Sequence, residues 1–278
     1  MTELTIDVYT SPSFELANGG LFSPTTSTLV LGPTEALLVD TQYLPEHVEE
    51  VRRRIEASGR TLTTIFITHA HYDHFFGLET LLKSFPNAKA IATAAVASEA
   101  ASGLEDNREA ARDFFSGAAV DTTVVPAAFE GDSFTVDGEE VRIVELPQAD
   151  IHPTAALHIP SIGAVIAGDA IYNGVNPFLA ASTVEEWPRW IESTDIIAAL
   201  EPTLVVAGHK RPELADDPKA IGETKAYLNA FIEGHEQFDS TRDLVGHMQA
   251  KFPDHDNPSA LLLSAALAMK AKKRLNHG

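Results

Sequence analysis

Three imidazoles and one carboxylate fall within the stretch Thr68-His69-Ala70-His71-Tyr72-Asp73-His74, directly after the mostly apolar run Leu62 to Ile67. The apolar run reads as a buried strand, so the polar stretch is a turn at a strand end. A neutral imidazole binds a divalent ion directly. Zinc accepts His nitrogen and Asp oxygen in a site that keeps one position open for water. His69 and His71 share a face by the period of two, while Asp73 and His74 lie past the strand and aim at a second point nearby. A solvated polar turn is the bland alternative, and it does not explain four ligand-type side chains at this spacing.

Composition narrows what such a site serves. A chain of 278 residues fits one large domain or a domain with a small appendage. Its 44% hydrophobic content is ordinary for a globular protein with a sizeable core. The formal charge of −20 repels phosphate backbones and argues against a nucleic-acid partner. With no cysteine, there is neither a disulfide framework nor a thiolate ligand. Residues Met1 to Thr10 carry Glu3 and Asp7 and lack the basic and apolar regions of a signal peptide. No apolar run reaches the length of a membrane span. The expectation is a cytoplasmic protein that acts on a small molecule and has no membrane contact.

The pattern along the chain alternates strand and helix. Residues 4 to 9 and Thr28 to Leu31 read as strands on either side of the turn signal Asn18-Gly19-Gly20. Ala36 to Thr41 is a further strand. Pro45 to Ser58 has Val48, Val51 and Ile55 at helical spacing, with Gly59 as C-cap. A helix is expected from Phe75 through Leu82, with one of the adjacent Phe75 and Phe76 in the core and the other toward a pocket. Lys89 to Ala92 is a short strand. Ala94 to Phe115 reads as two helices broken at Ser102-Gly103, a cover over the site. Thr122 to Val125, Asp132 to Val136 and Val141 to Leu146 are expected strands of a second sheet. Ala155 to Pro160 and Ala164 to Ala167 form a hairpin, and Leu204 to Ala207 is a last core strand. Helices are expected over Thr183 to Leu200, with Trp187 and Trp190 in the core, over Pro218 to Glu233, and over Pro258 to Leu275. His158 reads as a surface or packing histidine. His235, His247, His255 and His277 lack ligand spacing and read as surface.

Here the residues resemble a family. His69-x-His71-x-Asp73-His74 is similar to the His-x-His-x-Asp-His signature of the metallo-β-lactamase superfamily. Gly168-Asp169 after Ala164 to Ala167, and Gly208-His209 after Leu204 to Ala207, match its later Gly-Asp and Gly-His. The resemblance covers roughly residues 5 to 235 and is specific for fold and metal, not for substrate. It implies an α/β fold, the αββα sandwich of two mixed sheets with helices on the outer faces. The catalytic domain is placed at residues 1–236. Residues 237–278 form a C-terminal helical extension that caps the pocket or builds a homodimer surface.

The same resemblance implies a site. Asp40, at the end of its strand, is a hydrogen-bond anchor rather than a ligand. Two divalent ions are expected, zinc first and manganese or iron as alternatives. One sits among His69, His71 and a third ligand; the other sits among Asp73, His74 and His209, with Asp169 bridging. The third ligand stays open. Counting back from Gly168-Asp169 without a gap puts Asp150 where the family has a histidine. His152 is the better zinc ligand but stands two residues later, and Gln148 is a third option. An aspartate there suits a harder ion such as manganese or iron(II).

The implied activity is hydrolysis by a metal-held hydroxide, with Asp73 passing a proton to the leaving group. A small ester, lactone, thioester or β-lactam-like compound fits as substrate. Phe22 and Tyr72 are placed toward the substrate, as are Tyr172 and Asn173, which could hydrogen-bond a carbonyl or a developing oxyanion. Hairpin or loop packing is the plain alternative for Phe22, Tyr172 and Asn173. Lys270, Lys272, Lys273 and Arg274 only weakly echo the basic patch of glyoxalase-II-type thioesterases. Two other classes remain: a mononuclear-iron oxidoreductase of the sulfur dioxygenase type, and a non-catalytic metal-binding protein. A diiron, flavodoxin-coupled enzyme fits less well, because that branch has Glu where this chain has His71.

Overall fold

The computed structural model describes residues 4–17 and 19–277, with side chains as far as Arg274. Asn18 of the expected turn and the His277 side chain lie outside the described residues. Two sheets face each other. In the first, the strands run in the order Thr5–Thr10, Thr26–Leu31, Glu35–Val39, Thr61–Phe66, Lys89–Thr93, Ala127–Phe129. The first three pair antiparallel and the remainder parallel. In the second, the order is Leu204–Val206, Ala164–Ile166, Thr154–Ile159, Glu139–Leu146, Ser133–Val136. Its first pair is parallel and the others are antiparallel.

The pleat explains why the central strands are apolar throughout. Leu37 and Val39 point into the inter-sheet core with Phe66, Val141, Leu157 and Ile166. Their neighbours Ala36 and Leu38 point the other way, into a cluster with Val48, Val51 and Ile55 of the helix Pro45–Ser58. A strand covered on both faces reads as a continuous hydrophobic run rather than an alternating one. The outer face of the second sheet, through Ala156, Val165 and Val205, packs against Trp187, Trp190, Tyr227 and Phe231 of the helices Trp187–Ala199 and Lys219–Gln237. The layers are therefore helix, sheet, sheet, helix. Leu244 and Met248 of the helix Thr241–Lys251, and Leu261, Ala265 and Met269 of the helix Pro258–His277, belong to this same outer core. The C-terminal helices are thus packed into the main body.

Most expected elements form where the pattern puts them. Pro45–Ser58 is a helix, and Gly59 closes it in the left-handed conformation at φ 66. The break at Ser102-Gly103 separates the helices Ala94–Ser102 and Leu104–Phe114. Some expectations are corrected. Thr122 to Val125 is not a strand; the edge strand forms at Ala127–Phe129. The buried Thr123 instead donates its hydroxyl to the Phe75 carbonyl at 3.1 Å, which ties this segment to the short helix Tyr72–Phe75. The helix expected from Phe75 begins at Tyr72, stops at Phe75 and resumes over Leu78–Ser84. Gly77 stands between the two, and a Cβ there would lie 2.5 Å from the Thr41 carbonyl. Phe75 and Phe76 are both fully in the core, so neither lines a pocket. His235 is buried, because the helix runs on to Gln237 and turns it edge-on to the Trp187 ring at 5.4 Å. His247 and His255 are half-buried. No described helix is long and apolar enough to cross a membrane.

Candidate metal centre

The chain ends of the central strands meet at one edge of the sandwich. Asp40 follows Glu35–Val39, His69 follows Thr61–Phe66, Asp169 follows Ala164–Ile166, and His209 follows Leu204–Val206. Ligands gather outside the carboxyl ends of strands in open α/β sheets for the same geometric reason. Backbone bonds stitch the two sheets together here. Ala155 donates to the Thr68 carbonyl at 3.0 Å, Gly208 to Gly168 at 2.8 Å, and Thr26 to Gly208 at 2.9 Å.

Two groups of side chains converge. His69, His71, Asp150 and Asp169 form one, and Asp73, His74 and His209 the other. In each, the ligand atoms lie within 4.8 Å of one another. Six of the seven are fully buried, and His71 is partly exposed. The first group contains Asp150. His152 is exposed and stands outside both groups. Gln148 is buried, its backbone N–H donating to Ser193 Oγ at 3.1 Å. Asp169 contacts the second group too, with Oδ1 3.2 Å from His74 Nε2 and Oδ2 3.2 Å from His209 Nε2.

Hydrogen bonds behind the rings select the tautomers. With its proton on Nδ1, His74 donates to Asp40 Oδ2 at 2.8 Å. Asp40 also accepts from the Thr68 amide at 2.9 Å and the Thr68 hydroxyl at 2.8 Å. The Thr68 hydroxyl in turn sits 3.0 Å from His69 Nδ1. His209 Nδ1 faces the Pro24 carbonyl at 3.0 Å. Each of these three rings therefore turns Nε2 into the centre. His69 Nε2, His74 Nε2 and Asp169 Oδ1 are buried with no well-directed hydrogen bond. Polar atoms left without a partner in a buried site are costly, and a divalent cation is the partner that satisfies neutral imidazole and carboxylate together. His71 presents Nδ1, 2.6 Å from Asp150 Oδ2. The residues present fit a divalent metal.

The protonation balance agrees. Burial, with His74 nearby, drives the His69 pKa well down, which leaves a neutral ring. Burial acts the same way on His74 and His209, but the surrounding carboxylates overcome it. His74 is held well above its usual value by Asp73, Asp169 and Asp40, and His209 is raised to about 10, mainly by Asp169. Asp73 and Asp169 are held well below the usual carboxylate range by His74 and His209 despite their burial. Burial pushes Asp150 up. Before metal enters, protons on His74 and His209 do the charge-balancing that a cation would do.

The glycines of the two later motifs have a steric role. A Cβ on Gly208 would fall 2.0 Å from Asp169 Oδ1 and 2.6 Å from the Gly168 carbonyl carbon. Gly208→Ala is expected to displace the Asp169 carboxylate and lower bound metal by at least one ion per chain. Gly222→Ala, on an open helix face with nothing within 4 Å, is the control. It should keep its metal and gain up to about 1 kcal/mol of stability. Metal analysis and thermal melts of both variants check this.

A pocket opens onto the centre, with about 550 Å³ of empty space, its mouth included. Phe22, Tyr72 and Tyr172 line it. Tyr172 donates its hydroxyl to Asp169 Oδ2 at 2.7 Å and stacks on His209, the rings 5.4 Å apart. Its hydroxyl is therefore engaged with a carboxylate and not aimed at a substrate oxygen. Asn173 does not line the pocket; its amide donates to the Ala215 carbonyl at 2.9 Å. Sequence reasoning missed Phe114, Phe178 and the C-terminal Asn257, Ser259, Ala260 and Leu263, all of which line the pocket. It also missed Thr25, whose hydroxyl donates to Asp73 Oδ2 at 3.1 Å. None of these carries a spacing signal.

Two mixed sheets between helices, with this set of His and Asp residues at one edge, define a class that sequence comparison confirms. The family model described as the metallo-beta-lactamase superfamily matches residues 20–209, and the chain belongs to that superfamily. Among curated relatives, it is similar to the "Beta-lactamase-like protein 2 homolog" of Drosophila melanogaster, with 24% identity over 73% of this chain and 63% of that one. It is also similar to a hydroxyacylglutathione hydrolase of Alkalilimnicola ehrlichii, with 29% identity over 60% of this chain and 54% of that one. The chain thus spans less than two thirds of the length of either relative. Among solved structures, a metallo-beta-lactamase family protein from Thermus thermophilus superposes at TM-score 0.65. The two share 20% identity over 98% of this chain and 93% of that one. A metallo-beta-lactamase from Pontibacter korlensis superposes at 0.63, with 17% identity over 82% and 99%. Both structural likenesses speak for the fold.

Proposed function

We propose that this chain is a metal-dependent hydrolase that holds two divalent ions and cleaves a small ester or lactone. The observation that carries the reading is the convergence of the seven side chains as two adjacent groups, with Asp169 in contact with both. His69, His71 and Asp150 would hold one ion, Asp73, His74 and His209 the other, and Asp169 would stand between them. Such an ion pair supplies a water acidic enough to ionise near neutrality and a positive charge for the substrate carbonyl oxygen.

The chain's own residues do the rest. Asp40 and the Pro24 carbonyl keep the His74 and His209 rings oriented. Thr25 and Tyr172 each donate a hydrogen bond to a carboxylate, Asp73 and Asp169, and limit where those oxygens point. In the reaction the acyl C–O bond breaks and a new C–O bond forms to the water oxygen. Asp73 takes the water proton and delivers it to the departing alkoxide, so acid and alcohol leave.

Exhaustive chelation is expected to abolish turnover of a panel of simple esters and lactones, and zinc or manganese should restore it. Turnover that persists after confirmed metal loss would sink the reading. Loading metal at neutral pH should also release protons, because His74 and His209 carry them beforehand. Apparent affinity should therefore rise as pH rises from neutrality. Calorimetry in buffers of different ionisation heat reads this directly.

A second reading rests on one observation. His69, His71 and Asp150 make up two imidazoles and one carboxylate, the ligand set of mononuclear non-haem iron. One iron per chain in the isolated protein, with dioxygen uptake and no ester cleavage, would favour that oxidoreductase.

A further inference from the structure

The C-terminal helix Pro258–His277 contributes Ser259, Ala260 and Leu263 to the pocket wall, although it lies beyond the residues that the family model matches. It is tied in place from several sides. Ser259 Oγ accepts from the Leu21 amide at 3.0 Å, and Ser264 Oγ accepts from the Leu179 amide at 2.9 Å. Asn257, just before the helix, donates to Ser23 Oγ at 3.0 Å and accepts from the Ala260 amide at 3.3 Å. Ser23 Oγ is 3.3 Å from His209 Nδ1, so the helix end is braced against the centre itself.

The centre forms one part of the pocket wall. The remaining wall is mostly apolar, chiefly Phe22, Phe114, Phe178, Leu21 and Leu263, with the polar Ser23, Asn257 and Ser259 among them. Phe22 and Phe114 meet edge-on at 5.8 Å, and Phe178 meets His71 edge-on at 6.5 Å. Leu21 and Leu263 are 40% and 37% exposed, so apolar surface continues outward past the wall. Among the described residues no lysine or arginine lines the pocket, and the whole chain carries −20. A carboxylate on the far part of a substrate would lose water there and find no cation, which is strongly unfavourable.

We infer that the substrate is an uncharged ester or lactone with an apolar acyl or alkyl arm, and that the C-terminal helix selects that arm through Leu263 against Leu21 and the phenylalanines. This rests on the hydrolase reading above and names its substrate class.

The test uses the metal-loaded full chain. 4-Nitrophenyl acetate, butyrate and hexanoate are compared with the 4-nitrophenyl half-ester of adipic acid, which matches the hexanoate in length but ends in a carboxylate. kcat/KM is expected to rise roughly threefold per added methylene. The adipate half-ester should fall at least about tenfold below the hexanoate. Leu263→Lys, at a partly exposed position the fold tolerates, should narrow that ratio from both sides. Equal turnover of the matched pair, or no dependence on arm length, overturns the selectivity while leaving the hydrolase intact. Saturation-transfer NMR with hexanamide and adipamic acid separates the two claims. Preferential hexanamide binding without cleavage of any ester removes the hydrolase and keeps the selectivity. Equal binding of both amides, or of neither, removes the selectivity.

Discussion

Asp150→Ala should leave the protein folded but short of at least one metal ion per chain. Its turnover should fall by more than the roughly 10–100-fold typical of losing a group that merely supports a ligand. His152→Ala, two residues away, should keep its metal and its rate, with stability within about 0.5 kcal/mol of the parent. The difference follows from where the loop sends each side chain. Asp150 is 1% exposed, with Oδ2 2.6 Å from His71 Nδ1 and Oδ1 3.9 Å from His69 Nε2. His152 faces solvent. Asp150→His is the informative third variant. If it raises zinc retention relative to manganese, the carboxylate is what tunes the site toward harder ions. Full metal occupancy in Asp150→Ala would remove Asp150 from the ligand set.

The second large effect is expected at His74. This ring joins three carboxylates: Asp40 at 2.8 Å behind it, with Asp73 at 3.3 Å and Asp169 at 3.2 Å in front. His74→Ala removes an imidazole from the second group, so the ion held there is lost and hydrolysis with it. The fold should survive, because Asp40 keeps both of its bonds from Thr68. A cost of about 1–3 kcal/mol is expected for the hydrogen bond lost on one side of a buried carboxylate. Asp40→Asn gives the contrasting result. It leaves every ligand in place but weakens the ring's orientation, so metal affinity should drop by about 10–100-fold rather than vanish. Metal content by elemental analysis, read beside a thermal melt, separates the two variants. A His74→Ala protein that holds both ions would contradict this arrangement.

How much of this was legible beforehand depends on the kind of constraint. His69, His71, Asp73 and His74 were readable because they lie in one short segment whose geometry is local: a strand with period two, then a tight helical turn. Asp169 and His209 were readable through the resemblance to the family, whose later Gly-Asp and Gly-His they match. Each follows a glycine at a strand end, and the close approach of Gly168, Gly208 and Asp169 admits no side chain. The buried strands were visible as apolar runs, and the helix Pro45–Ser58 as a periodic one with a glycine stop. Where the pattern misled, the controlling contact was distant. Thr122 to Val125 has strand-like composition, but Thr123 bonds to Phe75, 48 residues earlier in the chain.

By itself, then, the sequence showed the apolar strands, the periodic helices and the ligand-type cluster His69 to His74, because strand pleat and helical period act over a few residues; the four-layer sandwich, Asp169 and His209 were legible only through resemblance to the family. Tertiary structure alone brought Asp150, and not His152, into the converging group. In a loop without regular repeat, a side chain's aim is set by what holds the backbone, here the bond from the Gln148 amide to Ser193, 45 residues on. It alone also placed the far end of the pocket. Leu263 and the ribbon Leu21–Phe22 come to line one pocket because the last helix packs back against that ribbon, through the bond from Leu21 to Ser259 over 238 residues of chain. Such contacts have no spacing signature, since they depend on how whole layers pack rather than on the order of neighbouring residues.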